Sequence, residues 1–200
     1  VRTYTLTDAE ADLRDALTIG DPDMIDRCGA AVDKLDVHPD PASTLAVALW
    51  YAEVCGLKVF PCQPGLKVPH PGTHGCKDAT TDPDTIRAWW DRWPGSNVAI
   101  ATGHLIDVVD IDGLVGQVSR CADWSVFKQL QVLATVSTPR PGGMHLYVPA
   151  TEMGNKAALT PGVDYRGRSG YVLAAPSSTP QGTYRFLTPL DPATLGAVTA

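Results

Sequence analysis

The run Leu105-Ile106-Asp107-Val108-Val109-Asp110-Ile111-Asp112-Gly113 constrains this chain more than any other stretch. Its β-branched, apolar character reads as a strand. Residues two apart on a strand share a face, so Asp110 and Asp112 point one way while Val109 and Ile111 point the other. Asp107 has the opposite parity and does not join the pair. Two ionised carboxylates side by side repel each other. Without a cation between them one must take up a proton at a shifted pKa, so a divalent metal site is the economical reading. The plainer alternative makes both acids solvated residues on the open face of an antiparallel strand. Against it, Ile106, Val108, Val109 and Ile111 leave little solvated character on either face, and Gly113 frees the backbone directly after the pair.

A length of 200 residues suffices for one ordinary α/β core, or for a core plus a small appendage. The formal net charge of -6 does not advertise nucleic-acid binding, so a polymer-binding role needs a local basic groove or bound metal ions to offset it. Cys28, Cys55, Cys62, Cys76 and Cys121 are odd in number, scattered, and form no CxxC pair, as expected in a reducing cytosol rather than in a disulfide scaffold. No apolar run approaches about eighteen residues and no signal-peptide pattern is present, so a soluble, cytoplasmic protein without membrane contact is expected. The chain opens at Val1 with no initiator Met, as a piece cut from something longer would.

Residues 8–36 are rich in Ala, Leu, Asp and Arg, with Leu13, Leu17, Ile25 and Leu35 at roughly helical intervals. Residues 1–40 are therefore read as an α-helical appendage and residues 41–200 as the catalytic domain. A helix is expected over 43–55, stopped by Gly56, and a strand over 58–61. Residues 62–81 form a Pro, Gly, His and Lys loop of a length that a compact domain keeps for function. Thr81-Asp82-Pro83-Asp84 starts a helix whose buried stripe is Ile86, Trp89, Trp90 and Trp93. Strands over 97–102 and 105–112 are expected to form a hairpin at Gly103-His104. A short helix near 124–130, strands at 132–138 and 144–148 around a Pro/Gly turn, a strand pair at 163–166 and 171–174, and a closing hairpin at 183–186 followed by loop complete the pattern.

Several other groups carry chemistry. Asp164, in Val163-Asp164-Tyr165-Arg166, would as a third oxygen ligand let the site hold two hard cations. Ser137-Thr138-Pro139-Arg140-Pro141-Gly142-Gly143-Met144-His145 offers hydroxyls, a guanidinium, glycines that allow close backbone approach, and a His entering a strand. That set suits a polyphosphate, or else is an ordinary Pro/Gly hairpin. Arg166 shares the face of Asp164, where it is an ion-pair partner or reaches a substrate phosphate. Lys67 is either a further phosphate contact or solvated. Cys62, His70, His74 and Cys76 invite a zinc reading, but their spacing matches no paired-knuckle pattern, and incidental loop residues are the favoured reading.

With these residues in view, the chain resembles the bifunctional DNA primase/polymerase domain of the archaeo-eukaryotic primase superfamily, found in plasmid and phage replication proteins. The resemblance covers roughly residues 46–185. It runs in order through Leu57-Lys58-Val59-Phe60-Pro61, Lys67, the stretch from His74 to Asp82, Trp89-Trp90, the stretch from Asn97 to Gly103, Val109-Asp110-Ile111-Asp112-Gly113, Ser137 through His145, Val163 through Gly167, and Ala175-Pro176-Ser177-Ser178. It implies that Asp110, Asp112 and Asp164 bind two catalytic Mg²⁺ or Mn²⁺ ions and that His145 contacts the nucleotide triphosphate. Arg140, Ser137, Thr138, Gly143, Arg166 and Lys67 are the accompanying candidates for triphosphate binding. The implied fold is α+β: an RRM-like catalytic sheet joined to a second small α/β unit, with the active site in the cleft between them. The implied partners are nucleoside triphosphates, a single-stranded DNA template and primer, and a helicase in the same longer polypeptide. One departure stands out: Pro141, preceded by Arg140, occupies the place just before the glycine pair where the family has a small or polar residue, which leaves the hydroxyl contribution of Ser137 or Thr138 open.

Two rival readings differ in class. Val108-Val109-Asp110-Ile111-Asp112-Gly113 also resembles the first motif of haloacid-dehalogenase-type phosphatases, but Leu114 stands where that motif has Thr or Val, and the motif lies past the middle of the chain. A non-catalytic nucleic-acid-binding module of a replication protein is the other, and its template affinity would fall with salt.

Overall fold

The structure is a computed structural model and describes residues 43–113, 116 and 130–196. The appendage expected over 1–40 lies outside the described residues, and the short helix expected near 124–130 falls almost wholly outside them.

Helix α1 (Thr44–Leu49) begins where the Ser43 side chain accepts a hydrogen bond from the Ala46 amide, and continues as a π-helical turn over Trp50–Val54. It stops at Gly56, whose φ of +68° is the left-handed conformation expected of a helix-ending glycine. Its expected apolar girth is real: Ala48, Tyr51 and Ala52 are buried. Strand β1 (Val59–Cys62) follows, and then the long loop. Helix α2 (Pro83–Arg92) is capped by the Asp82 carboxylate, which accepts from the Thr85 amide at 2.9 Å. Ile86 and Trp90 are its buried stripe, while Trp89 and Trp93 are half-buried at its margin. The remaining elements are β2 (Asn97–Ala101), β3 (Ile106–Ile111), β4 (Ala134–Ser137), β5 (Met144–Pro149), β6 (Lys156–Thr160), β7 (Val163–Arg166), β8 (Tyr171–Leu173), β9 (Ser178–Thr179), β10 (Gly182–Thr183), β11 (Arg185–Thr188) and a short helix α3 (Pro192–Gly196).

These strands form a three-stranded sheet in the order β1-β2-β8, a six-stranded sheet in the order β11-β4-β5-β3-β7-β6, and the small β9-β10 ribbon. Every pairing is antiparallel. Buried side chains from α1, α2, the three-stranded sheet and one face of the six-stranded sheet (Ile106, Val108, Ala134, Val136 and Tyr147) form one hydrophobic cluster. The architecture is mixed α+β. Among the described residues no helix is long and apolar enough to cross a membrane.

Two expected hairpins are not hairpins. β2 pairs with β1 and β8, whereas β3 pairs with β5 and β7, so the Gly103-His104 turn carries the chain from one sheet to the other. The expected pairing of 163–166 with 171–174 fails in the same way, since β7 is in the six-stranded sheet and β8 in the three-stranded one. The two crossings brace each other. The Thr102 amide donates to the Gly170 carbonyl at 3.0 Å, the Thr102 hydroxyl donates to the Gly167 carbonyl at 2.6 Å, and Gly103, with φ +87°, lies against the Arg168 backbone where a Cβ would clash. The closing segment also differs: β10 pairs with β9, β11 joins the edge of the large sheet beside β4, and α3 lies within the stretch expected to be loop.

Candidate active site

Because β3 is flanked on both sides, its acids are set in a row of cross-strand neighbours. Asp110 lies directly opposite His145 on β5 and directly opposite Asp164 on β7. Directly paired residues in adjacent strands share a face, so the register that buries Val109 and Ile111 on one side turns His145, Asp110 and Asp164 to the other. Asp164 is thus gathered beside Asp110 although 54 residues separate them by their numbering (164 less 110).

Arg166, two residues beyond Asp164 on β7, joins the row from the same face. Its Nη2 lies 2.7 Å from Asp164 Oδ2 and 3.3 Å from Asp110 Oδ2. The other Asp164 oxygen accepts from the Ala158 amide at 2.7 Å, offered by an irregularity in β6 where Ala158 has φ +49°. Burial pushes the Asp110 carboxyl above its usual pKa range, and the Arg166 guanidinium works against that rise. Asp112, two residues past Asp110, is more open and is held by Arg140, whose Nη1 lies 2.6 Å from Asp112 Oδ1. Arg140 sits on the β4–β5 turn, which closes through a bond from the Gly143 amide to the Arg140 carbonyl at 2.8 Å. A Cβ on Gly143 would clash with the Thr138 hydroxyl, so this turn needs the glycine. The Ser137 hydroxyl donates to the Arg185 carbonyl at 3.3 Å, which ties it to the neighbouring strand.

His145 is 4% exposed, and its Nε2 lies 3.6 Å from Asp110 Oδ1. Burial, reinforced by Lys67 and Arg166, lowers its pKa to about 3, so the ring is neutral. Among the described residues its Nδ1 has no hydrogen-bond partner. The row opens into a cavity of about 300 Å³ lined by Asp110, His145 and Arg166 from the large sheet, by Tyr171, Val172 and Leu173 from β8, and by Lys67 and Tyr184. Lys67 Nζ stands 5.6 Å from the centre of the Tyr184 ring, and that ring packs against His145. The Lys67 carbonyl accepts from the Tyr171 hydroxyl at 2.9 Å, which fixes the long loop to the cleft wall.

Asp107 is on the opposite face, as its parity demanded. It is fully buried, and its Oδ2 accepts from the Tyr165 hydroxyl at 2.6 Å and from the Thr151 amide at 2.7 Å. The four zinc candidates do not converge. Cys62 is buried in β1 with its thiol pushed up to about 12; His70 stacks on Trp93 and bonds Ser96; His74 pairs with Asp78; and Cys76 Sγ faces the Ser169 carbonyl.

Among the described residues no group of three or more His, Cys, Asp or Glu side chains is arranged to hold a metal ion. The aspartates pair instead with two guanidinium groups, Arg140 on Asp112 and Arg166 on Asp110 and Asp164. The donor set nevertheless suits a hard divalent cation. Oxygens of Asp110 and Asp164 converge on one positive centre, and Asp110 is a carboxylate whose burial calls for one. Tyr184, Tyr171 and Asn155 also line the cavity and were not singled out from the sequence, where isolated Tyr and Asn residues in strand-like or loop context carry no distinguishing signal.

The profile of a family described as bifunctional DNA primase/polymerase, N-terminal, matches residues 48–197. No curated protein matches the chain.

Proposed function

The chain belongs to the bifunctional DNA primase/polymerase family, and from that premise we propose that the cleft beside β3 carries out template-directed nucleotidyl transfer in phage or plasmid replication, using nucleoside triphosphates and a single-stranded DNA template. The family supports primase/polymerase-type nucleotidyl transfer as the class of reaction. The observation that carries its assignment to this cleft is the cross-strand row His145, Asp110 and Asp164, of which His145 and Asp110 line a cavity together with Lys67 and Arg166. In this reading the six-stranded sheet is the RRM-like catalytic sheet, and the three-stranded sheet with α1 and α2 is the second unit.

In the reaction a primer 3′-oxygen bonds to the α-phosphorus of the incoming nucleotide as the bond to the pyrophosphate oxygen breaks. Mg²⁺ or Mn²⁺ held by Asp110, Asp112 and Asp164 would lower the hydroxyl pKa and neutralise the leaving pyrophosphate. Neutral His145 is suited to donate a hydrogen bond to a phosphate oxygen without adding a full charge. Lys67 and Arg166 supply positive charge inside the cavity, and Arg140 supplies it at the open end of β3. Against Asp110, Asp112 and Asp164 these three cations leave the site near neutral rather than basic, so the offset to the overall negative charge would fall to the bound metal ions.

The test is extension of a labelled primer on single-stranded template, with a parallel assay of synthesis without primer. Extension that requires Mg²⁺ or Mn²⁺ and disappears in the Asp110→Ala and Asp112→Ala variants, with thermal unfolding unchanged, is expected. A folded double variant that still extends the primer would refute the assignment.

A further inference from the structure

We infer that Arg166 is the built-in counter-ion of the metal-free site: it holds Asp110 and Asp164 until a divalent cation displaces it, and it is then released toward the triphosphate. This rests on the metal reading above and adds to it an order of exchange among the chain's own groups. A single nitrogen, Nη2, reaches Oδ2 of both carboxylates. A cation shared by the two acids would use those same oxygen lone pairs, so cation and guanidinium compete for one position. Without either, two carboxylates would face each other directly across β3 and β7, one of them poorly solvated. Such like-charge pairs destabilise a sheet.

Arg166 also lines the cavity, so once released it already borders the space that a triphosphate would enter. A phosphate that engages the guanidinium removes the competitor from the carboxylates, and a cation on the carboxylates frees the guanidinium for phosphate. Each ligand therefore favours the other through one side chain, as linkage requires. Arg140 and Asp112 make a similar pair, but their side chains are 61% and 42% exposed against 34%, 17% and 22% for Arg166, Asp110 and Asp164. Water screens the outer pair, so the inner one decides the exchange.

Calorimetric titration with Mn²⁺ alone, without nucleotide, tests this on the wild type, Arg166→Gln, Arg166→Lys and Asp110→Asn. Arg166→Gln is expected to bind Mn²⁺ about tenfold more tightly than the wild type. Arg166→Lys, which keeps the charge but loses the planar fork, is expected to fall between them and carries the test if the Gln variant does not fold. Equal or weaker Mn²⁺ binding by the Arg166 variants, with binding lost in Asp110→Asn, would overturn the exchange while leaving the metal site standing. No Mn²⁺ binding by any of the proteins would overturn both.

Discussion

Asp110 and Asp164 face each other on adjacent antiparallel strands and share one nitrogen of Arg166. This contact supports the fold, because it offsets a repulsion that the register creates. Arg166→Gln should therefore lower the stability of the protein in EDTA by about 1 kcal/mol. Added Mn²⁺ should restore most of it by binding the folded state alone. Urea unfolding with and without Mn²⁺ reads both effects.

On the other face of β3, the Tyr165 hydroxyl donates to Asp107 at 2.6 Å, and Asp107 Oδ1 has no partner among the described residues. Removing a donor from a buried carboxylate leaves part of its desolvation uncompensated. Tyr165→Phe should cost about 1–3 kcal/mol of stability. Primer extension by the folded variant should stay within about twofold of wild type, a change worth under 0.5 kcal/mol of barrier, because Asp107 is turned away from the cavity. A large loss of extension with unchanged stability would contradict the division of the strand into two faces.

Gly103 carries the chain between the sheets with φ +87° and lies against the Arg168 backbone. A side chain there meets both a strained conformation and a clash with main chain that cannot rotate away. Gly103→Ala should destabilise the protein by about 2–4 kcal/mol, measured by urea unfolding. The equivalent change at Gly95, which has open space around it, should cost about 1 kcal/mol, from φ strain alone.

Much of the site was legible because strand parity is local. Period-two alternation places Asp110 with Asp112 and Arg166 with Asp164, and puts Asp107 on the far side, whichever strands pair. Which strands pair is a non-local matter that parity does not decide. A glycine between two apolar runs looks alike whether the runs fold back on each other or diverge into separate sheets, so the sequence at Gly103 and at 167–170 suggests hairpins where the structure has crossings between sheets. Strand β6 leaves no signal in the sequence because it is an edge strand whose first three residues are exposed, with no apolar alternation to mark it. The sequence also left two partners open for Arg166. The structure shows it on the carboxylates, and the phosphate role belongs to the proposed loaded state.

His145 gives the metal-free fold a pH signature. Its pKa falls from an ordinary 6.5 to about 3 in the folded state, so between those values the unfolded chain binds a proton that the folded chain refuses. Its contribution is fully present above about pH 6.5 and is lost as pH falls toward 3. Between pH 7 and pH 5 in EDTA, the wild type should lose about 2 kcal/mol more stability than His145→Gln. Parallel slopes for the two proteins would show that the imidazole is not held neutral.

In the proposed site, aspartates remote in the chain gather around shared divalent cations. Anomalous scattering from a crystal grown with Mn²⁺ and a non-hydrolysable nucleoside triphosphate tests it directly. A manganese peak is expected within about 2 Å of carboxylate oxygens of both Asp110 and Asp164, with Arg166 drawn off them onto phosphate. Manganese bound elsewhere, with the Arg166 bridge intact beside a bound triphosphate, would contradict it.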